Sequence, residues 1–193
     1  MPRSLRAGLL ALAVVAILAA CSRGPAPSFD TTGPCSTDGR AAGAYPDLEA
    51  LIPTVYQGVP PMTLDSGRNC SPANLGSLAA LGISEVRFAG GTWTFGAERA
   101  AVLAIFTARG LTADALAALY LDSAKAASRT QILATTTPTV AGRSGHRLDT
   151  TTSTRAQTVL VWPAVDRDTV NVVITNDLPD ARIQDATNAF AGR

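Results

Sequence analysis

Two short stretches in the middle of the chain alternate apolar and polar residues with the period of a β-strand. Residues 85–88 alternate charged and apolar side chains, and residues 92–95 alternate threonine with large aromatics. Gly90 and Gly91 lie between the two stretches. Because a glycine pair flanked by alternating residues is typical of a tight turn, the pattern predicts a β-hairpin with one apolar face.

Apolar residues recur at helical spacing on both sides of this predicted hairpin. Residues 97–109 carry an apolar stripe that stops before Gly110, and Thr112 is placed as the N-cap of a second helix. That second helix has a stripe of Leu116, Leu119 and Tyr120, for which a place in the core is the preferred interpretation. Shorter helices are predicted over residues 45–52 and 72–81, and a final one over 179–190.

The last third of the chain is rich in β-branched residues. Four such stretches, separated by turn-forming residues, predict an antiparallel meander. The whole order then implies a single α+β domain, with an antiparallel β-sheet and helices packed mainly on one face. The four predicted strands cover residues 130–137, 146–151, 156–162 and 169–174.

The N-terminus has the layout of a signal peptide. Arg3 and Arg6 precede an uncharged apolar run over residues 7–20, which is short for a permanent membrane span. Residues 18–21, Leu-Ala-Ala-Cys, resemble the bacterial lipobox, which implies cleavage before Cys21 and a lipid on its side chain. The alternative is an ordinary secretory signal followed by an incidental cysteine.

These observations predict the domain organisation and the compartment. Residues 1–20 would be a lipoprotein signal peptide, residues 21–43 a flexible tether poor in large apolar residues, and residues 44–193 one α+β domain. The domain would stand on the extracytoplasmic face of the cell membrane, with the inner or outer membrane left open. The formal charge of +1 for the whole chain excludes a strongly basic nucleic-acid-binding protein.

The remaining two cysteines, Cys35 and Cys70, are predicted to form a structural disulfide in an exported protein. Free thiols, a metal site and an activated thiol are the alternatives. A metal site would need further ligands nearby, and none is seen.

Candidate chemistry in the domain is sparse. His146 is the single histidine, with Asp149 as a possible local partner, and we expect a polar strand position rather than catalysis. If both lie on one strand, their side chains point to opposite faces. Trp93 and Trp162 are possible binding anchors, although burial in the core is the preferred interpretation.

The function predicted from these features is a non-enzymatic binding or interaction module at the cell envelope. Its partners would be the membrane, through the lipid on Cys21, and an envelope protein or small ligand. Neither a cofactor nor a metal is expected. The alternative is an envelope hydrolase with a site assembled around His146, which would require a concave pocket that holds His146, a carboxylate and a serine.

Overall fold

An eight-stranded antiparallel sheet organises the residues that the computed structural model describes, which are 29–96, 99–152 and 155–190. Its strands are β1 (Gly39–Ala41), β2 (Thr63–Asn69), β3 (Val86–Thr94), β4 (Ala100–Thr107), β5 (Thr130–Thr136), β8 (His146–Thr152), β9 (Arg155–Pro163) and β10 (Thr169–Asn176). The strand order is β1-β2-β3-β4-β10-β9-β8-β5. A separate small hairpin pairs β6 (Thr139–Val140) with β7 (Arg143–Ser144).

Helices pack on both faces of this sheet. One face, which we call the α4 face, carries α2, α3 and the longest helix α4; the opposite α5 face carries α1 and α5. The α+β class, the antiparallel sheet and the single domain are confirmed, whereas the expectation that the helices lie mainly on one face holds only in part. The helices are α1 (Pro46–Glu49), α2 (Pro72–Leu75), α3 (Ser77–Ala80), α4 (Ala113–Ala126) and α5 (Asp180–Ala189).

Two apolar clusters, one on each face, form the core. The α5 face buries both tryptophans and the apolar stripe of α5, and the α4 face buries Leu116 and the leucines of α2 and α3. Helix α4 begins where the sequence predicts a cap, since the Thr112 hydroxyl accepts a hydrogen bond from the Ala115 amide at 3.1 Å. Most predicted helices and all four predicted late strands are therefore found close to their expected positions.

The predicted hairpin at Gly90-Gly91 is wrong. Residues 86–94 form the single strand β3, and the two glycines lie in its middle. A Cβ atom at Gly91 would stand 2.7 Å from the Trp93 ring and 3.1 Å from Ile52. The glycine pair thus allows side chains to pack closely on the strand backbone, which is a different use of glycine from a turn.

The predicted helix over residues 97–109 is also wrong where the structure describes it. Residues 100–107 form strand β4, which pairs with β3 and β10 in the centre of the sheet. Leu103 and Ile105 face the α5 cluster, while Ala104 faces the α4 cluster. Because a strand covered on both faces is apolar at every position, its periodicity cannot be told from that of a buried helix.

The second half of the predicted tether belongs to the folded domain. Residues 39–41 pair with β2 as strand β1, and Cys35 is joined to Cys70. Pairing and a covalent link order this polar segment without much apolar burial, which composition alone could not indicate. Of the segment 21–43, residues 21–28 lie outside the described part, and a tether there stays a prediction.

Candidate functional site

A cavity of about 380 Å³ lies between α4 and the sheet. Its apolar wall is made by side chains of α4 on one side and of strands β8 and β9 on the other. The strands contribute Leu148, Val159 and Val161, and the helix contributes Ala117, Ala118 and Leu121.

Strand register explains why these side chains share one face. Leu148 pairs with Val159, and His146 pairs with Val161, so the four side chains form two rows under α4. The edge strand β5 extends one row, because Thr135 pairs with Leu148. Since residues that pair directly across strands lie on the same face, the sheet delivers both apolar and polar groups to the cavity.

Helix geometry explains the other wall. Asp114, Ala117, Ala118 and Leu121 follow the i, i+3, i+4, i+7 spacing and lie on one stripe of α4. This stripe is adjacent to the core stripe that holds Leu116, which is buried. The cavity therefore borders the core instead of lying apart from it.

The single histidine lies at this cavity. His146 Nε2 is 2.6 Å from Asp114 Oδ1, and the ring makes no other hydrogen bond to the described residues. The Asp114 side chain is 87 % exposed, while that of His146 is 30 % exposed. An exposed carboxylate is a weak orienting group for a catalytic base, because water competes for it.

Asp149, the partner considered from the sequence, points to the opposite face of the sheet. Its carboxylate accepts hydrogen bonds from Arg147 Nε at 2.8 Å and from the Thr158 hydroxyl at 2.6 Å. Arg147 in turn donates to Asp180 of α5. The alternation argument from the sequence is confirmed, and the true partner of His146, Asp114, comes from a distant helix.

A second cavity, of about 390 Å³, lies beneath the C-terminal half of α4. Tyr120, Leu148 and Val159 line both cavities, so the two are neighbours. We call the two cavities together the α4 groove. Burial raises the pKa of the Tyr120 phenol, so this group stays protonated and can donate a hydrogen bond.

The two cavities of the α4 groove differ in polarity. The first has threonines 135 to 137 and the His146–Asp114 pair around largely apolar walls. Much of the lining of the second is polar, and it includes the hydroxyl residues Ser123, Thr130, Thr150 and Thr152. The α4 groove thus comprises a largely apolar cavity beside a more polar one.

Both tryptophans proposed as binding anchors are in the core. Trp93 and Trp162 are each 1 % exposed. The Trp93 indole donates a hydrogen bond to the Val59 carbonyl at 3.0 Å, and Trp162 packs edge-to-face on Phe190. Burial in the core, the preferred interpretation from the sequence, is therefore confirmed for both residues, and neither is available as a surface anchor.

The predicted disulfide is present, with 5.9 Å between the Cα atoms of Cys35 and Cys70. Cys21 lies outside the described residues. Within the described ranges, no helix is long and apolar enough to cross a membrane. Nor does that part of the chain bring together three or more His, Cys, Asp or Glu side chains that could hold a metal ion.

Sequence reasoning missed Tyr120 and Asp114 as site residues. Tyr120 was assigned to a core stripe and Asp114 to no role. The threonine run 135–137 is a sequence feature that could have indicated a polar site, but it also fits a strand followed by a turn.

No protein-family model matches this chain, and a search of curated proteins finds no match.

Proposed function

We propose that this protein is a membrane-anchored, exported lipoprotein whose domain binds a small, largely apolar ligand in the α4 groove. The observation that carries the proposal is the cavity of about 380 Å³ between α4 and the sheet. Its size falls in the range of small-molecule sites, and its apolar walls with a few polar groups are typical of them.

The chemistry around the cavity favours binding over catalysis. The polar side chains that line it are one histidine, one exposed carboxylate, one tyrosine, one arginine and three threonines, but no serine or cysteine. The Cys35–Cys70 disulfide supports an extracytoplasmic location. Anchoring through Cys21 remains the part of the proposal that rests on the lipobox resemblance.

The test is titration of the full chain carrying Cys21→Ala with the uncharged fluorophore N-phenyl-1-naphthylamine, without detergent. We expect saturable fluorescence enhancement. Ala118→Trp, which places an indole in the first cavity, should weaken binding at least tenfold, by roughly 1.4 kcal/mol or more. Ala126→Trp is the matched control, because Ala126 is an exposed α4 residue that lines neither cavity. Absence of saturation, or an equal effect of both tryptophans, would contradict the proposal.

One observation favours the hydrolase alternative: His146 contacts Asp114, and both line a cavity of ligand size. A threonine hydroxyl would have to be the nucleophile. An ester substrate that is hydrolysed by the wild-type chain and not by His146→Gln would favour this alternative. Ligand binding that survives His146→Gln, with no turnover in either protein, would favour the binding module.

A further inference from the structure

The eight-stranded sheet ends in β5, whose outer edge is open. In the part of the chain that the structure describes, β5 (Thr130–Thr136) pairs with β8 on one side and with no strand on the other. Its outward N–H and C=O groups therefore have no strand partner. The outer edge of this seven-residue strand is a template for another extended chain, because that chain's backbone supplies the matching donors and acceptors.

The two edges of the sheet differ in how they are protected. The opposite edge strand, β1, has three residues, and the side chain of Arg40 at its centre is 63 % exposed. A short length and an edge charge both oppose pairing with another chain. Residues 130–137, by contrast, contain no charge, and Leu133 is 57 % exposed. A bulge at Leu133 interrupts β5 but leaves residues 134–136 in register with β8.

The open edge adjoins the first cavity. Residues 135–137 line that cavity together with side chains of β8, β9 and α4. Val159 pairs with Leu148, and Leu148 pairs with Thr135, so the three residues form one row on the α4 face. A side chain of an added strand opposite Thr135 would be the fourth member of this row. It would lie beside the largely apolar walls of the cavity, which favours an uncharged, apolar side chain.

A second copy of the chain fits this edge less well than a different strand does. If two β5 strands paired antiparallel about Leu133, which gives their longest overlap, Gln131 of one copy would lie opposite Thr135 of the other. The amide of Gln131 would then take the place beside the apolar cavity. A strand that carries an apolar residue at that position has no such mismatch.

We propose that β5 binds an extended, uncharged peptide segment of another protein as an additional strand of the sheet, with an apolar side chain of that segment in the first cavity. The inference rests on the ligand-binding function proposed above and names the class of ligand. Backbone hydrogen bonds to β5 supply affinity, and the cavity supplies the preference for an apolar side chain.

The probe is a fluorescein-labelled heptapeptide with capped ends, in which threonine and valine alternate. Fluorescence anisotropy with the full chain carrying Cys21→Ala should show saturable binding, and the unlabelled peptide should displace N-phenyl-1-naphthylamine. A peptide with glutamate in place of the valines should bind at least about tenfold more weakly, because apolar walls do not solvate a carboxylate. Hydrogen exchange of the amides of residues 130–137 should slow when the peptide binds.

Two N-methylated peptides test the backbone pairing. Successive N–H groups of a strand point to opposite edges, so methylation of the valines and methylation of the threonines block different edges. One version should lose binding by about tenfold, and the other should bind like the parent peptide. Leu133→Lys should weaken binding of the parent peptide by about fivefold, because a charge at an edge opposes strand pairing. Leu81→Lys is the matched control, since Leu81 is 64 % exposed and lies outside β5.

The inference is overturned if the heptapeptide does not bind, if the two N-methylated peptides bind alike, if the valine and glutamate peptides bind alike, or if both lysine variants have the same effect. It is also overturned if the free chain sediments as a dimer that Leu133→Lys dissociates, since β5 would then pair with a second copy. In each of these cases saturable fluorophore binding would still support the proposed function. Failure of the fluorophore to bind would contradict the proposed function, and with it the place of a side chain in the first cavity.

Discussion

Asp38, in the segment before β1, is hydrogen-bonded to the residues around the start of α2. Its Oδ1 accepts hydrogen bonds from the backbone amides of Cys70 at 2.6 Å and Ser71 at 2.8 Å. Its Oδ2 accepts from the Ser71 hydroxyl and from the Asn74 side-chain amide, the latter at 2.6 Å. The carboxylate is therefore surrounded by donors on both oxygens, and we predict that Asp38→Asn destabilises the fold in a pH-dependent way.

The magnitude follows from the pKa of this carboxyl group. Burial acts to raise it, but the hydrogen bonds from Ser71, Cys70 and Asn74 outweigh burial and lower the pKa of Asp38 from 3.8 to about 2. A shift of this size corresponds to at most ~2.5 kcal/mol. Because the side chain remains partly in water, screening reduces the expected contribution to about 1–2 kcal/mol.

The sign of the pH dependence is fixed by the direction of the shift. A carboxyl with a lowered pKa in the folded state stabilises the fold above its unfolded value of 3.8, and the effect is lost as the pH falls through about 2. In denaturant unfolding, Asp38→Asn should therefore lower the free energy of unfolding by about 1–2 kcal/mol at neutral pH and by only a few tenths of a kcal/mol near pH 2. Asp122→Asn, at an exposed α4 position, is the control. A difference in the free energy of unfolding between wild type and Asp38→Asn that does not change with pH would refute this reasoning.

Three further variants test other parts of the structure. Cys21→Ala should release the protein into the soluble exported fraction, and retention in the membrane pellet after a salt wash would show that the lipobox interpretation is wrong. Replacing both Cys35 and Cys70 by Ser should lower the free energy of unfolding by about 2–4 kcal/mol, because the disulfide closes a loop with a sequence separation of 35; an unchanged denaturation midpoint would contradict this. His146→Gln should change fluorophore binding less than threefold, since its partner Asp114 is 87 % exposed; a folded, exported variant as defective in cells as a full deletion would instead support the hydrolase.

Local signals explain why the helices after residue 110 could be predicted. Thr112 caps α4 with its hydroxyl, and Gly110 ends the preceding segment in a left-handed conformation with φ of 80°. The apolar stripe of α5 faces a single cluster, so its helical period is visible in the sequence. Each of these features depends on residues within one or two helical turns of one another.

Features that depend on the whole sheet could not be predicted in the same way. Residues 100–107 became a strand because β3 and β10 were available on both sides, and nothing in the segment itself distinguishes that outcome from a helix. The Trp93 ring packs against the strand where Gly91 has no side chain, and Ile52 lies beside the same glycine. In the sequence alone, the glycine pair is typical of a turn. Tertiary contacts, not local propensity, decided these elements.

The α4 groove belongs to this second kind of feature, since it depends on how far α4 stands from the sheet. The amphipathic period shows which side of the helix faces inward, and Leu116 obeys it with 2 % exposure. The width of the gap beside that stripe depends on side-chain size. Ala117 and Ala118 are the small α4 residues that line the first cavity, and leucines in their place would occupy much of it. In the sequence these alanines are indistinguishable from residues chosen for helix propensity. Their place in the cavity wall is visible only once Leu148 and Val161 are known to line the same cavity.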